Sequence, residues 1–124
     1  MKVVLFDDEL CQRQAFYRMP EMELRFYDDA DDAVRVVRAE RPDVVLMDFA
    51  MHAMQSGIDA IACLRKQEGA RPARRLRIIA ISNDAVANQR MLAAGADDAV
   101  PKTHVRSYLQ RLHEADRLAQ LREQ

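Results

Sequence analysis

PDVVLMDFAM, residues 42–51, sets four apolar residues, Val44, Val45, Leu46 and Met47, directly before one carboxylate, Asp48. A short unbroken apolar run of this kind predicts a strand buried on both faces, as in a parallel sheet. A carboxylate closing such a strand lies where open α/β sheets receive their ligands. Asp48 is therefore the first candidate for chemistry, and the rest of the chain reads outward from it.

Upstream, KVVLF (residues 2–6) is a second apolar, β-branched strand, and it stops at three acids, Asp7, Asp8 and Glu9. Residues 10–17 suit a short helix ended by Pro20. ELRFY (residues 23–27) alternates like an edge strand with one wet face. Four acids around Ala30, in residues 28–32, read as helix N-terminal chemistry, an Asp cap with acids in the first turn. The helix itself is expected over residues 33–40, with Val34, Val36 and Val37 inward and Pro42 marking its end.

Downstream, residues 49–56 form a loop carrying Met51 and Met54, and Gly57 opens a helix with Ile58, Ile61, Ala62 and Leu64 at helical spacing. The following loop holds Arg71, Arg74, Arg75 and Arg77 and reads as a solvated basic segment. LRIIAI (residues 76–81) is the fourth strand and ends at Ser82. A helix follows over residues 85–94, stopped by Gly95. Residues 98–100 make a short fifth strand ending at Pro101-Lys102-Thr103. The last helix starts near Thr103, with Val105, Leu109, Leu112, Ala115 and Ala119 along one stripe and an extension over residues 103–124. Its later apolar residues outlast what a small sheet covers, which raises a homodimer contact or the root of a linker.

Five strands alternating with five helices predict one α/β domain over residues 1–124, a doubly wound parallel sheet of order 2-1-3-4-5. At 124 residues the chain buries about 65–70% of its unfolded surface and needs neither disulfide nor structural metal to fold. Cys11 and Cys63 read as small core or boundary residues. His52, His104 and His113 are too scattered for a metal cluster. A net charge of −1 with 31% charged residues excludes a general bias toward nucleic acid or anionic membrane. No basic segment precedes an apolar one at the start, and no apolar run reaches spanning length, so the expected location is the cytoplasm.

Parallel strands bring their carboxyl ends to one edge. That edge collects Asp7 and Asp8 from strand one, Asp48 from strand three, Ser82 from strand four and Lys102 from strand five. Strands one and three are neighbours at the switch point, so three carboxylates share one crevice. At about 4 Å each pair repels by roughly 4 kcal/mol at an effective dielectric near 20. Lys102 supplies one compensating charge. A hard cation, Mg²⁺, suits the remaining oxygen ligands, with Glu9 in support. Metal, lysine and hydroxyl can each take one oxygen of a phosphoryl group, with Asp48 as nucleophile.

Four segments in order, VLFDDE (residues 4–9), PDVVLMDFAM, IIAIS (residues 78–82) and AAGADDAVPK (residues 93–102), resemble the receiver domain of two-component response regulators. The resemblance implies a flavodoxin-like fold and phosphoryl transfer from a histidine kinase or phosphotransfer protein to Asp48. It implies Mg²⁺ held by Asp8, Asp48 and the backbone carbonyl of Ala50, with Asp7 acting mainly through water. It also implies Ser82 and Lys102 on the phosphoryl oxygens, and a downstream protein target. The chain departs from that pattern in several places. His52 replaces a Pro, and Gly57 comes nine residues after Asp48 rather than eight. Thr103 replaces the Pro that often follows the lysine, which puts a cis peptide there in question. The first helix is a few residues short and the segment from Ser82 to Gly95 about two. Ala99 stands where a switch aromatic is usual. Two other classes fit less well. A receiver-like interaction module without phosphorylation accommodates Ala99 but leaves the intact acidic and Lys set without a use. A haloacid-dehalogenase-type phosphohydrolase requires an Asp where Glu9 stands, and a later carboxylate motif that is absent. A flavin-binding reading lacks a phosphate loop.

Overall fold

A computed structural model describes residues 1–50, 56–69 and 75–123. Five strands, β1 (Lys2–Phe6), β2 (Glu23–Tyr27), β3 (Val44–Asp48), β4 (Arg77–Ile81) and β5 (Asp98–Val100), pair in parallel in the order β2-β1-β3-β4-β5. This is the predicted doubly wound sheet. Met47 on β3 lies level with Phe6 on β1, and Asp48 lies level with Ile81 on β4, so Asp7, Asp48 and Ser82 all emerge at one edge.

Helices among the described residues are α1 (Asp8–Gln12), α2 (Gln14–Tyr17), α3 (Ala33–Glu40), α4 (Gly57–Glu68), α5 (Ala85–Ala94) and α6 (Val105–Arg122). The single first helix expected over residues 10–17 is two short pieces. Arg13 breaks it with φ −119° and ψ 34°, its N–H turning back to the Leu10 carbonyl.

Strand alternation divides the core into two layers. Val3, Leu5, Val44, Leu46, Ile79 and Ile81 face one way and meet Leu10, Tyr17, Val105, Tyr108, Leu109 and Leu112 from α1, α2 and α6. Val4, Phe6, Val45, Met47, Ile78 and Ala80 face the other way and meet Ala33, Ala60, Ile61, Leu64 and Met91 from α3, α4 and α5. Val44–Asp48 is buried at every position because β3 is covered on both faces. At roughly 25 cal/mol per Å² of apolar surface, this central run contributes heavily to stability.

Three local expectations are corrected. Asp32 occupies the N-cap of α3 but makes no capping bond, and no acid lies in the first turn. Asp32 instead pairs with Arg35 at 2.9 Å, and Asp29 accepts the Asp31 N–H at 3.0 Å. β4 begins at Arg77 rather than Leu76, because the Leu76 peptide is taken by side chains. Its N–H donates to Glu68 at 3.2 Å, and its carbonyl accepts from Arg65 at 2.6 Å. The buried stripe of the last helix is Val105, Tyr108, Leu109 and Leu112, entered through a 3-10 turn at Lys102–His104. Ala115 and Ala119 are exposed, so the stripe ends at Leu112 rather than running on to Ala119.

Cys11 is half-buried, as expected of a boundary residue, whereas Cys63 is exposed on the outer side of α4; neither forms a disulfide. Of the basic loop, Arg75 pairs with Asp97 at 3.2 Å and Arg77 donates to the Tyr108 hydroxyl at 3.3 Å. Arg71, Arg74, Met51, His52 and Met54 lie outside the described residues. No described helix is long and apolar enough to cross a membrane.

Candidate functional site

Asp7 leaves β1 in an extended conformation and caps α1. Its Oδ1 accepts from the Glu9 N–H at 2.8 Å and the Leu10 N–H at 3.1 Å. The acid that ends the strand is thus held by the helix that follows. Asp7 is fully buried, and its other oxygen, Oδ2, has no aligned hydrogen-bond donor, although the Lys102 ammonium stands 3.1 Å away.

Asp48 is 2% exposed. Its Oδ1 accepts from the Phe49 N–H at 2.8 Å, and its Oδ2 accepts from Lys102 Nζ at 3.2 Å. Lys102 projects from the 3-10 turn after β5 and bridges Asp7 and Asp48, with Glu9 Oε1 further off at 3.8 Å and mostly in solvent.

The electrostatics follow from this crowding. Burial, and then the neighbouring Asp7 charge, push the Asp48 carboxyl up to about 6, and Lys102 only partly offsets them. Burial also raises Asp7, against the pull of its backbone bonds and of Lys102. Burial alone would lower Lys102, but Asp7 and Asp48 overcome it and hold the ammonium above its ordinary range. One lysine thus serves two carboxylates and leaves the cluster short of positive charge.

Asp7, Asp8 and Asp48 each bring one carboxylate oxygen within 4.8 Å of the others. Asp8 is half-buried at the mouth of the crevice. An all-oxygen set carrying excess negative charge, with one ammonium shared between the buried Asp7 and Asp48, fits a hard divalent cation such as Mg²⁺. Ala50, two residues past Asp48, is exposed at the same edge of the sheet.

Ser82 is 8% exposed at the end of β4. Its Oγ accepts from the Asp84 N–H at 3.0 Å, and its O–H remains able to donate. Ala99 lies half-buried on β5, level with Ala80, so only a methyl group stands at the position where the resembled pattern usually has an aromatic. No cis peptide bond occurs among the described residues, in keeping with Thr103 after Lys102.

Three residues of this neighbourhood were not singled out from sequence. Asn88 of α5 is buried and donates to the Ser82 carbonyl at 2.8 Å and the Val100 carbonyl at 3.4 Å, tying the ends of β4 and β5 to one helix. Its signal was a polar residue between the apolar positions Ala87 and Met91, one turn after the Asp84 cap. Gly57 was read as a helix start and as a shifted loop glycine, but not as a residue that β3 requires. A Cβ there would overlap the Asp48 carbonyl oxygen and crowd Phe49, so α4 can begin against the end of β3 only with glycine. The Gly57 N–H donates to the Phe49 carbonyl at 2.9 Å. Arg90 of α5 lies 5.6 Å from the Phe49 ring centroid, a pairing that no spacing rule announces.

Residues 3–114 match the family model described as the response regulator receiver domain. The structure is similar to the receiver domain of a sensor histidine kinase from Pseudomonas aeruginosa PAO1, solved with a magnesium ion coordinated in its active site cleft. That pair shares 30% identity over 90% of this chain and 92% of the other, with a TM-score of 0.72. The BeF3-activated N-terminal receiver domain of RstA from Klebsiella pneumoniae shares the fold at 24% identity, covering 91% of this chain and 96% of that one, TM-score 0.73. The chemotaxis protein CheY4 of Vibrio cholerae does so at 19% identity, covering 92% and 96%, TM-score 0.72. No curated protein matches the chain.

Proposed function

The chain belongs to the response regulator receiver domain family, and on that premise we propose that Asp48 accepts a phosphoryl group from a phosphohistidine of a sensor histidine kinase or phosphotransfer protein. Receiver domains are signalling phosphoacceptors rather than classical enzymes, and they work with such partners. The observation that carries the reading is the buried Asp48 carboxylate, 3.2 Å from Lys102 and clustered with Asp7 and Asp8.

In the transfer, an ionised oxygen of Asp48 attacks phosphorus. The new P–O bond forms as the P–N bond breaks, and the bonding pair returns to the histidine nitrogen. Lys102 steadies the negative charge of a phosphoryl oxygen. The Ser82 hydroxyl donates to another, and its acceptor side stays fixed by the Asp84 N–H. The Phe49 N–H orients the carboxylate. Asp7, Asp8, Asp48 and the Ala50 carbonyl are the groups that would hold Mg²⁺. The bound ion would neutralise charge on the phosphoryl group and relieve repulsion among the carboxylates. Self-phosphorylation from a small phosphodonor and autodephosphorylation are the only turnover expected of this domain. The phosphorylated state alters binding to a downstream protein target, and we expect no direct nucleic-acid contact by this domain. With such a role we expect the domain to act in the cytoplasm.

Incubation with a phosphorylated histidine phosphotransfer domain or acetyl phosphate, with and without Mg²⁺, tests this. The expected product is an acid-stable, base-labile phosphate on the chain that requires Mg²⁺ and is absent from Asp48→Asn. Ala99 favours the other reading, a receiver fold that binds partners without phosphorylation. No label together with partner capture unaffected by Asp48→Asn would select it.

A further inference from the structure

We propose that Phe49 and Arg90 form the connection by which modification of Asp48 is transmitted to α5, an inference that rests on Asp48 being the phosphoacceptor. Phe49 is covalently next to the acceptor, and its N–H donates to Asp48 Oδ1 at 2.8 Å. That bond is charge-assisted while Asp48 is ionised. Acylation removes the carboxylate charge, weakens Oδ1 as an acceptor and adds phosphoryl oxygens that compete for the same N–H. The Phe49 peptide must then re-seat, and its carbonyl is already engaged by the Gly57 N–H at 2.9 Å.

The ring moves with the peptide. It lies half-buried against the layer containing Ala80 and Met91, the layer on which Ala99 also packs. Ala99 has no torsion that could carry a side chain between two positions, whereas Phe49, next to Asp48 in the chain, is a part-buried aromatic on this layer that can re-seat. The Arg90 guanidinium stands over its ring at 5.6 Å, from a side chain on α5 that is otherwise in solvent. Within the same turn, Asn88 holds the Ser82 carbonyl at 2.8 Å. Both residues flanking the reacting oxygens thus end on one turn of α5. A change at Asp48 loads that turn twice, through Ser82–Asn88 and through Phe49–Arg90. The second contact is the weaker, being partly solvated, and so the easier to remake.

The test uses the full chain, ¹⁵N-labelled, with Mg²⁺ and beryllofluoride as a stable stand-in for the phosphoryl group. In the wild type, amide shifts are expected at Asp48, Phe49 and Ser82 and across residues 86–94. In Arg90→Gln the changes across residues 86–94 should fall at least twofold while those at Asp48 and Lys102 persist. Arg90→Lys, which keeps a cation over the ring, should restore them. Arg90 is exposed, so both variants are expected to fold. An α5 response in Arg90→Gln equal to the wild type overturns the inference. So does a wild-type response confined to Asp48 and Ser82. No response at Asp48 in the wild type instead overturns the phosphoacceptor reading itself.

Discussion

Asp48 is costly to ionise in this fold, because it is buried beside a second carboxylate that one lysine only partly offsets. Its pKa near 6, against an ordinary 3.8, means the folded state binds the proton more tightly than the unfolded chain. The group's contribution to stability therefore falls as pH rises from about 4 to about 6, by on the order of 2–3 kcal/mol. Asp48→Asn should raise the unfolding free energy by about 2 kcal/mol above pH 6 without Mg²⁺, the gain fading as pH falls toward 4; urea titrations across that range check it. Lys102→Met should act in the opposite sense. It leaves two buried carboxylates without their cation, and we expect a loss of about 3 kcal/mol at pH 7 that shrinks near pH 4 as Asp48 protonates. The same titrations read both. These residues were legible in the sequence because each closes a strand, and parallel strands share an edge. Asn88 and the Phe49–Arg90 pair were not, because a side chain's partner across two elements depends on register that spacing alone does not set.

Elements around the site are fixed by close approach as much as by apolar pattern. The start of α4 lies against the end of β3, and Gly57 is the residue that permits it. Gly57→Ala should cost about 2 kcal/mol or more, since the clash is with backbone that cannot turn aside; thermal unfolding with matched controls measures it. At the opposite edge Arg65 joins Gly95, Leu76, Glu68 and Asp97 in one cluster, with its side chain 16% exposed. That cluster shortens β4 by one residue. All five strands were legible from runs and alternation, and β1, β2, β3 and β5 have the expected bounds. The break at Arg13 was not, because nothing in residues 10–17 is a helix breaker. The pattern there specifies burial of Leu10 and Tyr17, which two short helices satisfy as well as one.

Across the molecule, two apolar layers cover both faces of the sheet, and the last helix reaches past them. Its buried stripe stops at Leu112, while Leu118 and Leu121 are 44% and 53% exposed. Deleting residues 115–124 should change the unfolding free energy by less than about 1 kcal/mol, because little apolar surface leaves the core. If Leu118 and Leu121 make the homodimer contact, the same deletion lowers the solution mass by sedimentation; an unchanged mass removes that contact. The sheet order was legible because β-α alternation admits few topologies. That the last helix outruns the sheet was legible too; that its buried stripe stops at Leu112 was not, since apolar spacing does not report where the sheet ends. The account as a whole stands on Asp48 receiving the phosphoryl group. The most direct measurement is borohydride reduction after incubation with acetyl phosphate and Mg²⁺, followed by peptide sequencing, since reduction turns an aspartyl phosphate into homoserine. Homoserine at position 48, absent without Mg²⁺, is the predicted result. Homoserine at another acid, or at none while the protein is folded and binds Mg²⁺, would contradict it.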